Sequence, residues 1–167
     1  MSLPIMIVDE NDRPVSQATK QEAWKKGLIH RVVRVMIEDS QGQVLLQHRT
    51  PTKDIFPNCW DNSAAGHVNA GEDYKQAAGR ELKEELGLEG LTLTEIGRYR
   101  SDETWKGHRF NRFNRVYKVK TSVVPAKLEE GKVDDAQWFS LEEVKRLVRD
   151  RPDKVTDGLR QVIAQYY

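Results

Sequence analysis

Short β-branched runs alternate along this chain with longer segments whose apolar residues recur at helical spacing. IMIVD, from Ile5, predicts a short strand closed by a turn at Asn11-Asp12. Residues 16–26 predict a helix with Ser16 as N-cap. HRVVRVMIED and QVLLQHR are apolar runs separated by Ser-Gln-Gly, and predict a hairpin. TPTKDIFPNCWDNSAA is rich in Pro, Asn and Asp and predicts a loop. Strands are expected near 91–99, 110–120 and 136–139. Ser140 is placed to cap LEEVKRLV, and Asp153 or Thr156 to start a last amphipathic helix. Strands and helices interleave, so the fold class is mixed α/β.

Between the loop and residue 91 runs GHVNAGEDYKQAAGRELKEELGL, residues 66–88. Gly87 suits a helix C-terminus, and Glu72 and Asp73 suit its positive N-terminal end. At about 100° per residue, Tyr74, Ala78, Leu82 and Leu86 form one apolar stripe with Ala77 beside it. Glu81 and Glu85 project between Ala77 and Leu82, at the edge of the face that meets the core, and Glu84 lies just beyond Ala77. A solvated charged face is the plain alternative, but an Arg80–Glu84 pair contributes only ~0.2–0.5 kcal/mol. Glu81 and Glu85 repel, and partial burial makes each charge costlier. A divalent cation resolves both problems. Oxygen ligands, partly carboxylate, suit Mg²⁺ or Mn²⁺, with phosphate as the natural co-ligand.

Composition narrows the classes. The 167 residues show no break in composition, and 32% charged with 38% hydrophobic residues describe one globular domain rather than a disordered chain. A net charge of +1 gives no general attraction to nucleic acid or membrane surfaces. No apolar run reaches membrane-spanning length, and the N-terminus lacks a signal peptide's layout. Cys59 stands alone, so no intrachain disulfide forms; a reducing, cytoplasmic setting is expected.

Gly66, five residues, Glu72, seven residues, then Arg80-Glu81-Leu82-x-Glu84-Glu85-x-Gly87-Leu88 resembles the Nudix box at every defined position. The resemblance covers residues 29–148, and implies a Nudix fold: a mixed β-sheet between helices, with the box as loop–helix–loop. One domain over 1–167 is expected, with its core at 29–148, an N-terminal extension at 1–28 and a C-terminal helix at 153–166. The resemblance implies that Glu81, Glu84 and Glu85 ligate metal, joined by the Ala65 backbone carbonyl. It gives Arg80 the task of orienting the glutamates and Glu72 that of fixing the loop-to-helix geometry. Gly66, Gly71 and Gly87 are expected to serve backbone geometry. The implied reaction is attack by water on a diphosphate phosphorus, with the cation acidifying the water.

IVDENDRPV, LIHRVVRV and LLQHRTPTKDIFPNCWDNSAAGHV are also similar to isopentenyl diphosphate isomerases, which share the Nudix fold. The catalytic cysteine of those enzymes falls at Ala65, and Cys59 is six residues too early to replace it. His30 and His67 match two of their metal-binding histidines, whereas a third falls near Ala23; their Glu-x-Glu aligns with Phe113 and Arg115. The chain therefore reads as an isomerase-like relative that is a hydrolase. An isomerase is the first alternative. A non-catalytic nucleotide- or RNA-binding module is the second, opposed by the intact glutamates. His30 and His67 are left between structural and acid–base roles. An additional acidic ligand or general base is left open among Glu103, Glu129, Glu130, Asp134 and Asp135, because Lys132 stands where related proteins place a Glu.

RYRSDETWKGHRFNRFNRVYKVK, residues 98–120, is basic with interleaved aromatics. Substrate binding ranks first for it, plain surface second and RNA third. Arg109, Arg112 and Arg115 are expected to hold phosphate, and Trp105, Phe110 or Phe113 to stack a base. The expected partner is a small nucleotide-type diphosphate, without nucleic acid or membrane; a homodimer is left open.

Overall fold

Strand β3 (His30–Glu38) is the axis of the sheet. The computed structural model describes residues 3–167. Around β3 stand β1 (Ile5–Val8), β2 (Pro14–Ala18), β4 (Val44–Arg49), β5 (Trp60–Asp61), β6 (Ala64–His67), β7 (Thr94–Trp105), β8 (His108–Lys120) and β9 (Val133–Phe139). The helices are α1 (Lys20–Lys26), α2 (Tyr74–Leu86), α3 (Leu141–Asp150) and α4 (Asp157–Tyr166). One edge of β3 pairs in parallel with β8 along its whole length, from His30↔Arg112 to Glu38↔Lys120. The other edge is shared by β1, β6 and β4. The long β7–β8 hairpin turns at Lys106-Gly107, both with positive φ.

The expected β3–β4 hairpin forms, but it zips for only two residue pairs, Ile37↔Leu45 and Glu38↔Val44. Beyond them the strands part. β6 then lines β3, while β9 and β5 line β4. The split leaves a cleft between β5 and β6, within the stretch expected to be loop.

Period-2 alternation sends β3 side chains to two cores. Val33, Val35 and Ile37, with Tyr117 and Val119, meet Tyr74, Ala77, Ala78, Leu82 and Leu86 of α2. Met36, Leu46 and Val116 meet Val144 of α3 and Leu159, Val162 and Ile163 of α4. Helices thus cover both faces of a mixed sheet, as the fold class requires. Each large apolar side chain so buried contributes ~1.5–3 kcal/mol.

Several boundaries differ from the sequence reading. Residues 16–18 are strand, not helix: they pair with β1 through Ile5↔Ala18 and Ile7↔Ser16. Thr19, not Ser16, caps α1, its hydroxyl accepting the Glu22 N–H at 3.1 Å. Asp73 caps α2 in a capping box with Gln76, which leaves Glu72 free for another task. Thr156, not Asp153, starts α4, because Pro152–Lys154 closes as a separate 3₁₀ turn. The N-terminal extension adds its strands to the edge of the same sheet. Among the described residues, no helix is long and apolar enough to cross a membrane.

Candidate active site

The acidic helix α2 closes the open edge of β6. Register fixes that edge. Val68 donates to the Arg31 carbonyl, so Gly66 and Ala64 also bond toward β3, while Ala65 and His67 turn their N–H and C=O outward. Glu85 Oε1 takes the outward Ala65 N–H at 2.8 Å and a second bond from Gln47 Nε2 at 3.2 Å. Arg80 Nη2 donates to the outward His67 carbonyl at 2.8 Å. The Ala65 carbonyl leaves on the same edge, beside Glu85.

Arg80 binds the rest together. Its Nε donates to Glu72 Oε2 at 2.7 Å, and Nη1 donates to Glu81 at 2.8 Å and Glu84 at 3.1 Å. Glu72 in turn accepts the Asn69 N–H at 2.8 Å, which pins the loop entering α2. Gly66 serves a different purpose from that expected. Its φ is not in the left-handed region; what matters is that any Cβ there would collide with the Glu81 carboxylate. Gly71 and Gly87 do use positive φ, at 87° and 67°.

Burial sets the electrostatics. Glu81 and Glu85 are 9% and 6% exposed. Desolvation pushes the Glu81 carboxyl up, opposed by Arg80. Glu85 is pushed well above the usual carboxylate range, first by burial and then by the Glu81 charge, while its bonds to Ala65 and Gln47 oppose the shift. Two buried carboxylates that resist ionisation, beside an outward carbonyl, form an oxygen-only donor set that fits a hard divalent cation. Glu84 does not yet join them. Its side chain is 43% exposed and turned onto Arg80, and among the described residues no three acidic, His or Cys side chains converge.

Glu81 and Glu85 face a cavity of about 310 Å³ in the cleft between β5 and β6. Lys20 from α1 and Lys53 from the 50–58 loop line it. Burial lowers both, Lys53 to about 8. Arg49 shapes that loop by donating to the Ile55 carbonyl at 2.8 Å and the Phe56 carbonyl at 3.1 Å. Trp24, Phe56, Arg34, Arg112, Asp61 and Asp157 also line the cavity.

A model of the NUDIX domain matches residues 28–165. The chain belongs to the Nudix family. An uncharacterized Nudix hydrolase of Pseudomonas aeruginosa is 35% identical over 147 residues, 84% of this chain and 82% of that one. An isopentenyl-diphosphate Delta-isomerase of Nocardia farcinica is 32% identical over 163 residues, 96% of this chain and 93% of that one. The fold matches the crystal structure of DR0079 from Deinococcus radiodurans, with a TM-score of 0.80 over 98% of this chain and 99% of that one, at 24% identity.

Within this Nudix fold, the residues expected to bind substrate part company. Only Arg112 of the four lines the cavity, and it already pairs with Asp157 at 2.5 Å. Phe113 and Arg115 correct the sequence reading: alternation along β8 puts them on the opposite face, under Arg100 and against Tyr74 respectively. Of β8, Arg112 lines the cavity, and Asn114 lies behind it, accepting from cavity-lining Arg34. Arg109 is half-exposed and held by Asp102 at 2.6 Å. Several arginines of the basic stretch are paired: Arg98 and Arg115 share Glu95, and Arg100 meets Glu10.

None of the five acidic candidates lines the cavity. Glu103 is bonded to Arg160 and Gln161, Asp134 to His48, and Asp135 to Ala136 and Gln137, while Glu130 is exposed. Glu129 comes nearest: its amide donates to the Glu85 carbonyl at 3.1 Å, and its carboxylate holds cavity-lining Lys132 at 2.9 Å. His30 and His67 stack at 5.3 Å. Burial holds His30 down to about 4 and His67 well below the ordinary histidine value. His30 Nδ1–H donates to the Leu28 carbonyl at 2.9 Å, the bond of a neutral structural histidine. Ala23 is fully buried where a third histidine would be needed.

Sequence reasoning missed Lys20, Trp24, Lys53, Phe56, Asp61 and Asp157. They come from α1, the 50–58 loop, β5 and α4, and only the topology brings them together. The Nudix box itself carried a local signal; these residues carried none.

Proposed function

We propose that this Nudix protein is a divalent-cation-dependent hydrolase that splits a diphosphate linkage in a small, nucleotide-type substrate. The observation that carries the reading is one cavity with buried, cation-seeking Glu81 and Glu85 on one side and the lysines Lys20 and Lys53 beside them. Carboxylates hold the metal and lysines meet the phosphate oxygens. Mg²⁺ or Mn²⁺ bound there would acidify the attacking water and neutralise charge on the diphosphate. Glu81, Glu85 and the Ala65 carbonyl would hold it, with Glu84 added on leaving Arg80. Arg80 opposes the rise that burial imposes on the Glu81 carboxyl and aims it, and Glu72 keeps Arg80 in place. Lys20 and Lys53 orient the diphosphate, and Lys132 adds positive charge.

The isomerase alternative has a relative of that name in its favour, but Ala65 offers no thiol and the β8 residue that lines the cavity, Arg112, is not an acid. A single domain is favoured by the shared sheet, and a cytoplasmic setting by the lone, buried Cys59 thiol. The test is a panel of nucleoside diphosphates, nucleotide sugars and dinucleotides with Mg²⁺ or Mn²⁺, products identified by mass. Metal-dependent release of a nucleoside monophosphate supports the reading; no turnover of any diphosphate sinks it.

A further inference from the structure

The cavity has a sheet side that diphosphate chemistry leaves unused. Two guanidiniums line it there. Arg34, on β3, is 3% exposed; its Nε donates to Asn114 Oδ1 at 3.1 Å, and its Nη2 has no partner. Burial opposes its charge, while the neighbouring Tyr99 hydroxyl, then Asp157 and Asp61, favour it; neither carboxylate bonds it. Room for it is made by Gly158, where any Cβ would collide with the guanidinium. Arg112, on β8, bonds Asp157 through Nη2, while its Nε has no partner. Buried N–H groups without acceptors are costly, so the pair favours a ligand that supplies oxygens.

An aromatic wall adjoins these donors. The Arg112 guanidinium lies 4.9 Å from the centre of the Phe110 ring. Trp24 and Phe56, which both line the cavity, have ring centres 5.8 Å and 6.2 Å from that same Phe110. Ligand pockets run from about 300 to 1,000 Å³. At about 310 Å³ this one has room for one small ring beside the diphosphate.

We propose that Trp24, Phe56, Arg34 and Arg112 form a recognition site for the substrate's other half: one planar ring bearing carbonyl oxygens, of the pyrimidine kind. The ring's faces lie against Trp24 and Phe56, and its oxygens take the N–H groups of the two arginines. The site deepens the diphosphate reading and rests on it. A hydrocarbon tail would leave the donors unpaired, and sites built to hydrogen-bond reject analogues that lack the partner.

The test is calorimetric titration in Ca²⁺, which fills oxygen sites. The probes are inorganic diphosphate, uridine diphosphate and dimethylallyl diphosphate. Uridine diphosphate is expected to bind ~10²-fold tighter than dimethylallyl diphosphate. Arg112→Lys and Arg34→Lys are each expected to shrink that ratio about tenfold, leaving inorganic diphosphate within about twofold. Phe56→Leu, on the loop and away from the buried arginines, should weaken uridine diphosphate alone, and serves if the arginine variants do not fold. Equal or tighter binding of dimethylallyl diphosphate, or a ratio unchanged in every folded variant, overturns the ring site. So does inorganic diphosphate binding as well as uridine diphosphate, and then the hydrolase reading stands. If inorganic diphosphate itself does not bind, the hydrolase reading falls, and the ring site with it.

Discussion

Gly66 and Glu81 compete for one volume: the Glu81 carboxylate fills the space that a Cβ at position 66 would take. The position therefore demands glycine for the sake of the glutamate, not of its own backbone. Gly66→Ala should fold, since its φ is open to any residue, but should push Glu81 off Arg80. We expect kcat to fall ~10²-fold, in line with loss of a central electrostatic group. Gly87→Ala should do the reverse. There φ is +67°, so alanine costs about 1 kcal/mol of stability and leaves kcat nearly unchanged. Steady-state kinetics beside thermal melting separates the two; a silent Gly66→Ala would refute the packing argument.

Glu85 ties stability to pH and metal. Its folded-state pKa lies well above the ordinary value of 4.5. The stability it contributes is full below that value and is lost as pH rises through the folded one. The melting temperature of the metal-free protein should fall as pH climbs above about 5, and Mg²⁺ should restore it. Glu85→Gln should flatten the pH slope, abolish the Mg²⁺ effect and lower kcat ~10²-fold or more. A wild-type slope in that variant would count against the assignment.

Lys53 gives a second pH signature. Burial lowers it to about 8 from an ordinary 10.5. It is protonated and able to hold phosphate below that pH, and neutral above it. KM should rise as pH passes 8, while kcat, which reports the bound complex, should change less. Lys53→Met should raise KM ~10-fold at pH 7 and remove the rise above pH 8. An unchanged KM profile would place Lys53 outside substrate binding.

Ala65 bears on the isomerase alternative. Its side chain carries no proton, and only its backbone faces the glutamates. We expect no deuterium uptake into isopentenyl diphosphate incubated with the protein and Mg²⁺ in D₂O. Uptake above a metal-only control would reverse the choice between isomerase and hydrolase.

The glutamate helix was legible because its chemistry is local: Arg80, Glu81, Glu84 and Glu85 are neighbours on a helix before any tertiary contact forms. The apolar stripe from Tyr74 to Leu86 placed the helix on the sheet, and the structure keeps that stripe in one core. The cavity's other walls were not legible. Lys20, Phe56 and Asp157 share no spacing and meet only because β3 and β4 part after two pairs. The misplaced helix start at Ser16 has a similar cause. Pairing of β2 with β1 overrides a local pattern that also suits a helix. Phe113 and Arg115 failed for a simpler reason: composition alone does not separate consecutive residues such as Arg112 and Phe113, which on one strand face opposite sides of the sheet.

That alternation yields the last prediction. Arg112 and Arg115 are three residues apart on one basic strand, and composition cannot tell them apart. Arg112 faces the cavity and bonds Asp157; Arg115 stacks 3.9 Å from the centre of the Tyr74 ring on the far side, near Glu95. Arg115→Ala should lower stability by ~0.5–1 kcal/mol through the lost stacking, with kcat/KM within about twofold of wild type. Arg109→Ala, which breaks an exposed pair with Asp102 and a contact on Gly27 away from the cavity, should leave kcat/KM unchanged. Arg112→Lys should lower kcat/KM at least tenfold for nucleotide substrates. Kinetics of the three variants on one nucleoside diphosphate decides the matter: a large loss in Arg115→Ala with a mild one in Arg112→Lys would mean that substrate lies on the Tyr74 face of the sheet.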